Sequence, residues 1–135
     1  MRLQDIGIAC VRIFPALLLF LFHGQGKLIS AYNYFVSGKE WGFVKGVAGL
    51  GFPAPAVFAL LSTLAETVGS FCMILGLFTR YAAAIIFINM SVAVYRHLTS
   101  DMRYELAAVY GFIALAFIFL SPGRFSLDAA LRHKG

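Results

Sequence analysis

Residues 53–98 read PAPAVFALLSTLAETVGSFCMILGLFTRYAAAIIFINMSVAVYRHL. Two apolar runs, Pro53–Leu77 and Tyr81–Leu98, meet at a turn through Thr79-Arg80. A helix crossing the hydrocarbon core needs about 20 apolar residues, so each run can make one crossing. So short a turn makes the two helices antiparallel neighbours. Pro53 and Pro55 stand at the start of the first run, where a missing N–H costs a helix nothing. Strands of a membrane barrel would alternate over short segments, and these runs are long and continuous.

The pattern extends to both sides. Gly7–Ile29 forms a further span before the quoted stretch and Met102–Leu120 another after it. Thr99-Ser100-Asp101 is expected to cap the last span, and Pro122-Gly123 to stop it. The reading is an all-α polytopic membrane protein, a single four-transmembrane-helix bundle over residues 1–135. The long connection Ser30–Phe52 carries Tyr32, Tyr34 and Trp41, which predicts an interfacial segment over the mouth of the bundle. Near the N-terminus, Arg12 interrupts the apolar run and no small-x-small cleavage site follows it. The segment is therefore expected to stay as a helix and not to leave as a signal peptide.

Composition agrees. Of the 135 residues 61% are apolar and 13% charged, and the mean hydropathy is +0.85. Soluble domains carry roughly 45–50% apolar and about 25% charged residues, so a water-soluble monomer and a disordered chain are both excluded. The net charge of +5 comes from Lys and Arg scattered between apolar runs. That is membrane-flanking charge, and no nucleic-acid partner is expected. Arg2, Arg80, Arg124, Arg132 and Lys134 fall on one side of the four spans, which places both termini in the cytoplasm. Cys10 and Cys72 lie in separate runs without CxxC spacing and read as free thiols.

Charged residues inside membrane helices are costly and usually face the protein interior. Arg12 and His23 share a face of the first span with Ala16, Leu19 and Gly26. Glu66 shares one with Ser62 and Gly69 in the second, and Asn89 one with Arg96 in the third. Glu105 opens the fourth. The candidate polar seam is therefore Arg12, His23, Glu66, Asn89, Arg96 and Glu105. Counting rise along the helices puts Glu66 and Asn89 near mid-membrane and Arg12 roughly one turn away, which predicts an Arg12–Glu66 ion pair. Lys27 and His97 join His23, Arg96 and Glu105 toward the outer mouth, with Arg96–Glu105 as a second pair. Such pairs either fix helix register or serve a ligand or a proton, and both readings stay open. His23, His97 and Glu105 lack metal-ligand spacing, so no metal site is expected.

Five segments in order resemble the DoxX family of small bacterial four-helix membrane proteins. They are Phe20-Leu21-Phe22-His23-Gly24 with Lys27; Leu64-Ala65-Glu66 with Gly69; Leu75-Gly76-Leu77-Phe78-Thr79-Arg80; Tyr104-Glu105-Leu106; and Pro122-Gly123-Arg124-Phe125-Ser126-Leu127-Asp128. The resemblance implies a four-span bundle in the bacterial inner membrane with a Glu in the second helix. Relatives include a subunit of thiosulfate:quinone oxidoreductase, which implies a quinone-interacting membrane subunit of a redox complex. The chain carries no haem, flavin or iron–sulfur motif, so a bound quinone and a soluble redox partner protein would complete such a system. A homo-oligomer is the other expected assembly. Two further functions fit the same seam: binding or transport of a small hydrophobic solute, and a structural membrane anchor without catalysis.

Overall fold

No strong helix breaker lies between Leu3 and Gly38 except Pro15, whose ring removes one N–H from the ladder but does not end the helix. In the computed structural model, which describes residues 2–135, α1 accordingly runs from Leu3 to Ser37. It passes through a π-helical turn at Phe20–Gly24 and ends where Gly38 takes φ +68. The first span thus outlasts the expected Gly7–Ile29. Hydropathy marks where the chain is apolar, whereas the helix stops only at a residue able to enter the left-handed region. The expected loop 30–52 also holds a short helix, α2 (Gly42–Gly49).

α3 (Pro55–Leu75) starts with Pro55 in its first turn and closes at Gly76. α4 (Thr79–Leu98) follows at once, then α5 (Glu105–Phe119) and α6 (Leu127–Arg132). Among the described residues there is no strand. α1, α3 and α4 are long and apolar enough to cross a membrane, and α5 is a shorter apolar helix of 15 residues. Thr99-Ser100-Asp101 does not cap α5. The Thr99 and Ser100 hydroxyls turn back and donate to the Arg96 carbonyl, while Asp101 accepts from the backbone N–H of Arg103. Helix α5 begins at Glu105, with no side-chain cap.

α1, α3, α4 and α5 pack around Ala16, Leu19, Met73, Ala83, Ile86, Met90, Ala114 and Phe117. A second cluster of Ala31, Trp41, Val47 and Ala59 seats α2 against α1 and α3. Small residues let helices approach closely where lipid gives no hydrophobic drive for association. Gly24 shows the effect, because a Cβ there would lie 2.8 Å from the carbonyl oxygen of Glu66.

The end of the bundle holding the α3–α4 turn is closed by a clasp. Arg12, 1% exposed, donates to the carbonyls of Met73 and Ile74, the latter at 2.9 Å, and to Phe125 at 2.6 Å. The first two belong to the last turn of α3, whose carbonyls have no partner within the helix and carry the negative end of its dipole. Asp128 accepts from the N–H groups of Phe78 and Thr79 at 2.8 and 2.9 Å, which caps α4 from a distant segment. Ser126 caps α6. The expected Arg12–Glu66 pair is therefore absent. Met73 lies seven residues beyond Glu66, about 10 Å along the helix, so Arg12 reaches the end of α3 and not its middle. α1 and α3 run antiparallel, so the start of α1 lies beside the end of α3, and Arg12 falls level with Met73 and not with Glu66.

Candidate functional site

Glu66 sits on the inner face of α3, and one of its carboxylate oxygens, Oε1, accepts from side chains of two other helices. Lys27, one turn beyond the π turn of α1, places Nζ 2.8 Å from Oε1. Asn89 of α4 donates Nδ2 to the same oxygen at 3.0 Å. A π turn inserts one residue into the helical repeat and rotates everything after it. Lys27 follows that turn, and Gly24 within it permits the close approach to α3. Glu66 is 3% exposed, and its other oxygen, Oε2, is buried without a partner. The Lys27 ammonium also lies 4.4 Å from the centre of the Phe43 ring of α2, a cation–π distance.

This triad forms one wall of a cavity of about 330 Å³ between α2, α3 and α4. The rest of the lining is mostly apolar: Val47 and Leu50 from the α2 side, Leu61 and Ala65 from α3, Ile88 and Val92 from α4. Ser62, Arg96 and His97 add polar groups. Leu61, Ile85 and Ile88 line the cavity while remaining 53%, 54% and 64% exposed, so its wall is continuous with the apolar outer surface of α3 and α4. Arg96 lies against the backbone of α2, where a Cβ on Gly46 would come within 2.9 Å of Nη2. His97 Nδ1 lies 2.8 Å from Asp101 Oδ1. The hydrogen bond from His97 and the Arg103 N–H hold the Asp101 carboxyl below the ordinary carboxylate range.

Of the expected seam, the structure brings Glu66, Asn89 and Arg96 to this cavity. His23 packs edge-on against Tyr110 with ring centres 5.9 Å apart, outside the lining. Arg12 belongs to the clasp. Glu105 is exposed at the start of α5, and no Arg96–Glu105 ion pair forms among the described residues. No three metal-ligating groups converge among the described residues either, and His23, His97 and Glu105 stand apart. Lys27 was expected at the outer mouth but not as the partner of Glu66, and the α2 side chains were not expected at the site at all.

A helical membrane protein with an ion pair and an asparagine walling a mostly apolar interhelical cavity is the class that this fold and site define. Residues 7–98 match the DoxX family, and the chain belongs to it. A protein of Haemophilus influenzae described as uncharacterized is 31% identical over 130 residues, 90% of this chain and 87% of its own length. No solved structure matches the chain.

Proposed function

We propose that the protein is a four-crossing inner-membrane subunit that holds the head of a lipid-soluble quinone in the cavity beside Glu66. The observation that carries this reading is the cavity itself. A volume of about 330 Å³ lies at the small end for ligand sites, about 300–1,000 Å³, and suits a single substituted ring. One wall is charged and hydrogen-bonding, and the remainder is mostly apolar, as an amphipathic ring with an apolar tail requires. A quinone would supply reversible carriage of two electrons and two protons within the bilayer. The protein's part is to fix the head, with Lys27 and Asn89 holding the Glu66 carboxylate in place and the aliphatic wall excluding water.

The fourth crossing is α5 with its flanking residues. The termini lie in the cytoplasm, on the side of the clasp, where Arg80, Arg124 and Arg132 gather with Arg2. Electrons arrive from a soluble partner protein.

Solvent extraction of the protein purified in mild detergent, followed by mass spectrometry, tests the reading. Quinone should be recovered from the wild type and be depleted when Ile88→Trp fills the cavity. Equal recovery from both proteins overturns the assignment to this cavity. A non-quinone amphiphile recovered in its place makes the protein a hydrophobic-solute binder.

A further inference from the structure

Glu66 is the one carboxylate in the cavity lining, and it is already engaged. Oε1 accepts from Lys27 and Asn89, and Oε2 is sealed within the protein. What the lining still offers an occupant is positive charge. The Lys27 ammonium has three donors and uses one of them on Glu66. Arg96 forms no ion pair among the described residues, and none of its nitrogens is sealed from solvent in the way that Nε of Arg12 is. His97, the remaining basic group of the lining, is paired with Asp101.

The two cations stand close to one another. Arg96 is rooted in the last turn of α4, and its guanidinium lies against Gly46 of α2. Its side chain therefore crosses the gap between α4 and α2, where the cavity lies. Lys27 stands over Phe43, three residues before Gly46 and on the same face of α2. Two cations thus flank the cavity one helical turn apart along α2, and the one lining carboxylate answers only Lys27. A charge without a partner is disfavoured next to the bilayer core, and a guanidinium bonds an anionic oxygen more strongly than a neutral one. We propose that the occupant brings the second negative charge: an ionised ring hydroxyl, held by Arg96 and reached also by Lys27. The site then selects rings bearing an acidic hydroxyl over rings bearing only carbonyl and alkyl groups. The proposal deepens the quinone reading and rests on it, and a carboxylate probe separates the two.

The experiment measures Kd by calorimetry in mild detergent at neutral pH for three probes. The first is an alkyl-substituted hydroxynaphthoquinone, whose hydroxyl is ionised at that pH. The second is its analogue with a methyl group, similar in size, in place of the hydroxyl, and the third is decanoate. The wild type should bind the hydroxyl ring about tenfold or more tightly than the methyl ring. Arg96→Gln should narrow that ratio to about threefold or less, and Arg96→Lys, which keeps the charge, should retain most of it. Equal Kd values for the two rings in the wild type overturn the anion proposal and leave the ring reading standing, as expected if water alone satisfies Arg96. An unchanged ratio in Arg96→Gln overturns the assignment to Arg96. Binding of decanoate with failure of both rings overturns the quinone reading and makes the anion an acyl carboxylate. Failure of all three probes overturns both.

Discussion

Lys27 and Glu66 meet at 2.8 Å from two antiparallel helices, and the π turn at Phe20–Gly24 ends three residues before the lysine. The lysine side chain is 26% exposed and the glutamate 4%. Removing the lysine alone therefore leaves a buried carboxylate without its counter-charge and with Asn89 as its one donor, while removing both charges leaves no charge unpaired. Breaking one side of a buried pair typically costs about 3–5 kcal/mol, and the partial exposure of Lys27 puts the expected loss at the low end of that range. Lys27→Met should lower the melting temperature in detergent, and Lys27→Met/Glu66→Gln should recover part of the loss. Strictly additive losses would mean that the two charges do not interact.

The two glycines flanking this region make opposite predictions. A Cβ on Gly24 would meet the Glu66 carbonyl at 2.8 Å, whereas one on Gly26 meets nothing within 4 Å. Gly24→Ala should force α1 away from α3 and cost about 1–3 kcal/mol. Gly26→Ala gains helix propensity and should be neutral or stabilising by up to about 1 kcal/mol. Thermal melts of the two variants side by side check this, and a Gly24→Ala protein as stable as the wild type would contradict the close packing.

The sequence made the helices legible because each apolar run contains few charges and ends at a proline, a glycine or a tight turn. It also placed Glu66 and Asn89 at one depth, since both lie near the middle of their runs. It could not show which cation Glu66 meets. That depends on how far α1 projects beyond α3 and on the phase change at the π turn, neither of which leaves a periodic trace. Leu75–Arg80 and Pro122–Asp128 read as separate segments, but in the fold they are one object. Asp128 caps the turn in the first, and Arg12 ties the end of α3, just before the first, to Phe125 in the second. Hydrogen bonds to backbone carbonyls carry no partner signature in sequence, so Arg12 looked like half of an ion pair.

The placement of the termini can be checked with single reporter cysteines in a Cys10→Ser/Cys72→Ser background. A cysteine at Lys39, exposed just after α1, should react with a membrane-impermeant maleimide added to intact cells. One at Lys134 should react only after permeabilisation. The reverse pattern would invert the protein in the bilayer. Labelling of both from outside would mean an odd number of crossings, with α5 failing to span.

Asp128 gives the clasp a pH dependence. Burial alone pushes its carboxyl upward, but the N–H groups of Thr79 and Phe78 and the charge of Arg132 outweigh it and hold the pKa below the ordinary value. A carboxyl depressed in the folded state adds stability above its unfolded pKa, about 3.9, and loses it as pH falls through the folded value. The wild type should therefore keep its melting temperature down to about pH 5 and lose part of it below about pH 4. Asp128→Ala removes both acceptors from the start of α4 and should cost about 0.5–2 kcal/mol at neutral pH, as the loss of a helix cap does. Asp128→Asn keeps one acceptor and no titrating proton. It should lie between the two at pH 7, and its stability should fall less steeply than that of the wild type between pH 5 and 3. Parallel wild-type and Asp128→Asn curves across that interval would show that the clasp does not depend on the charge of Asp128, and that the acid loss arises at another carboxylate.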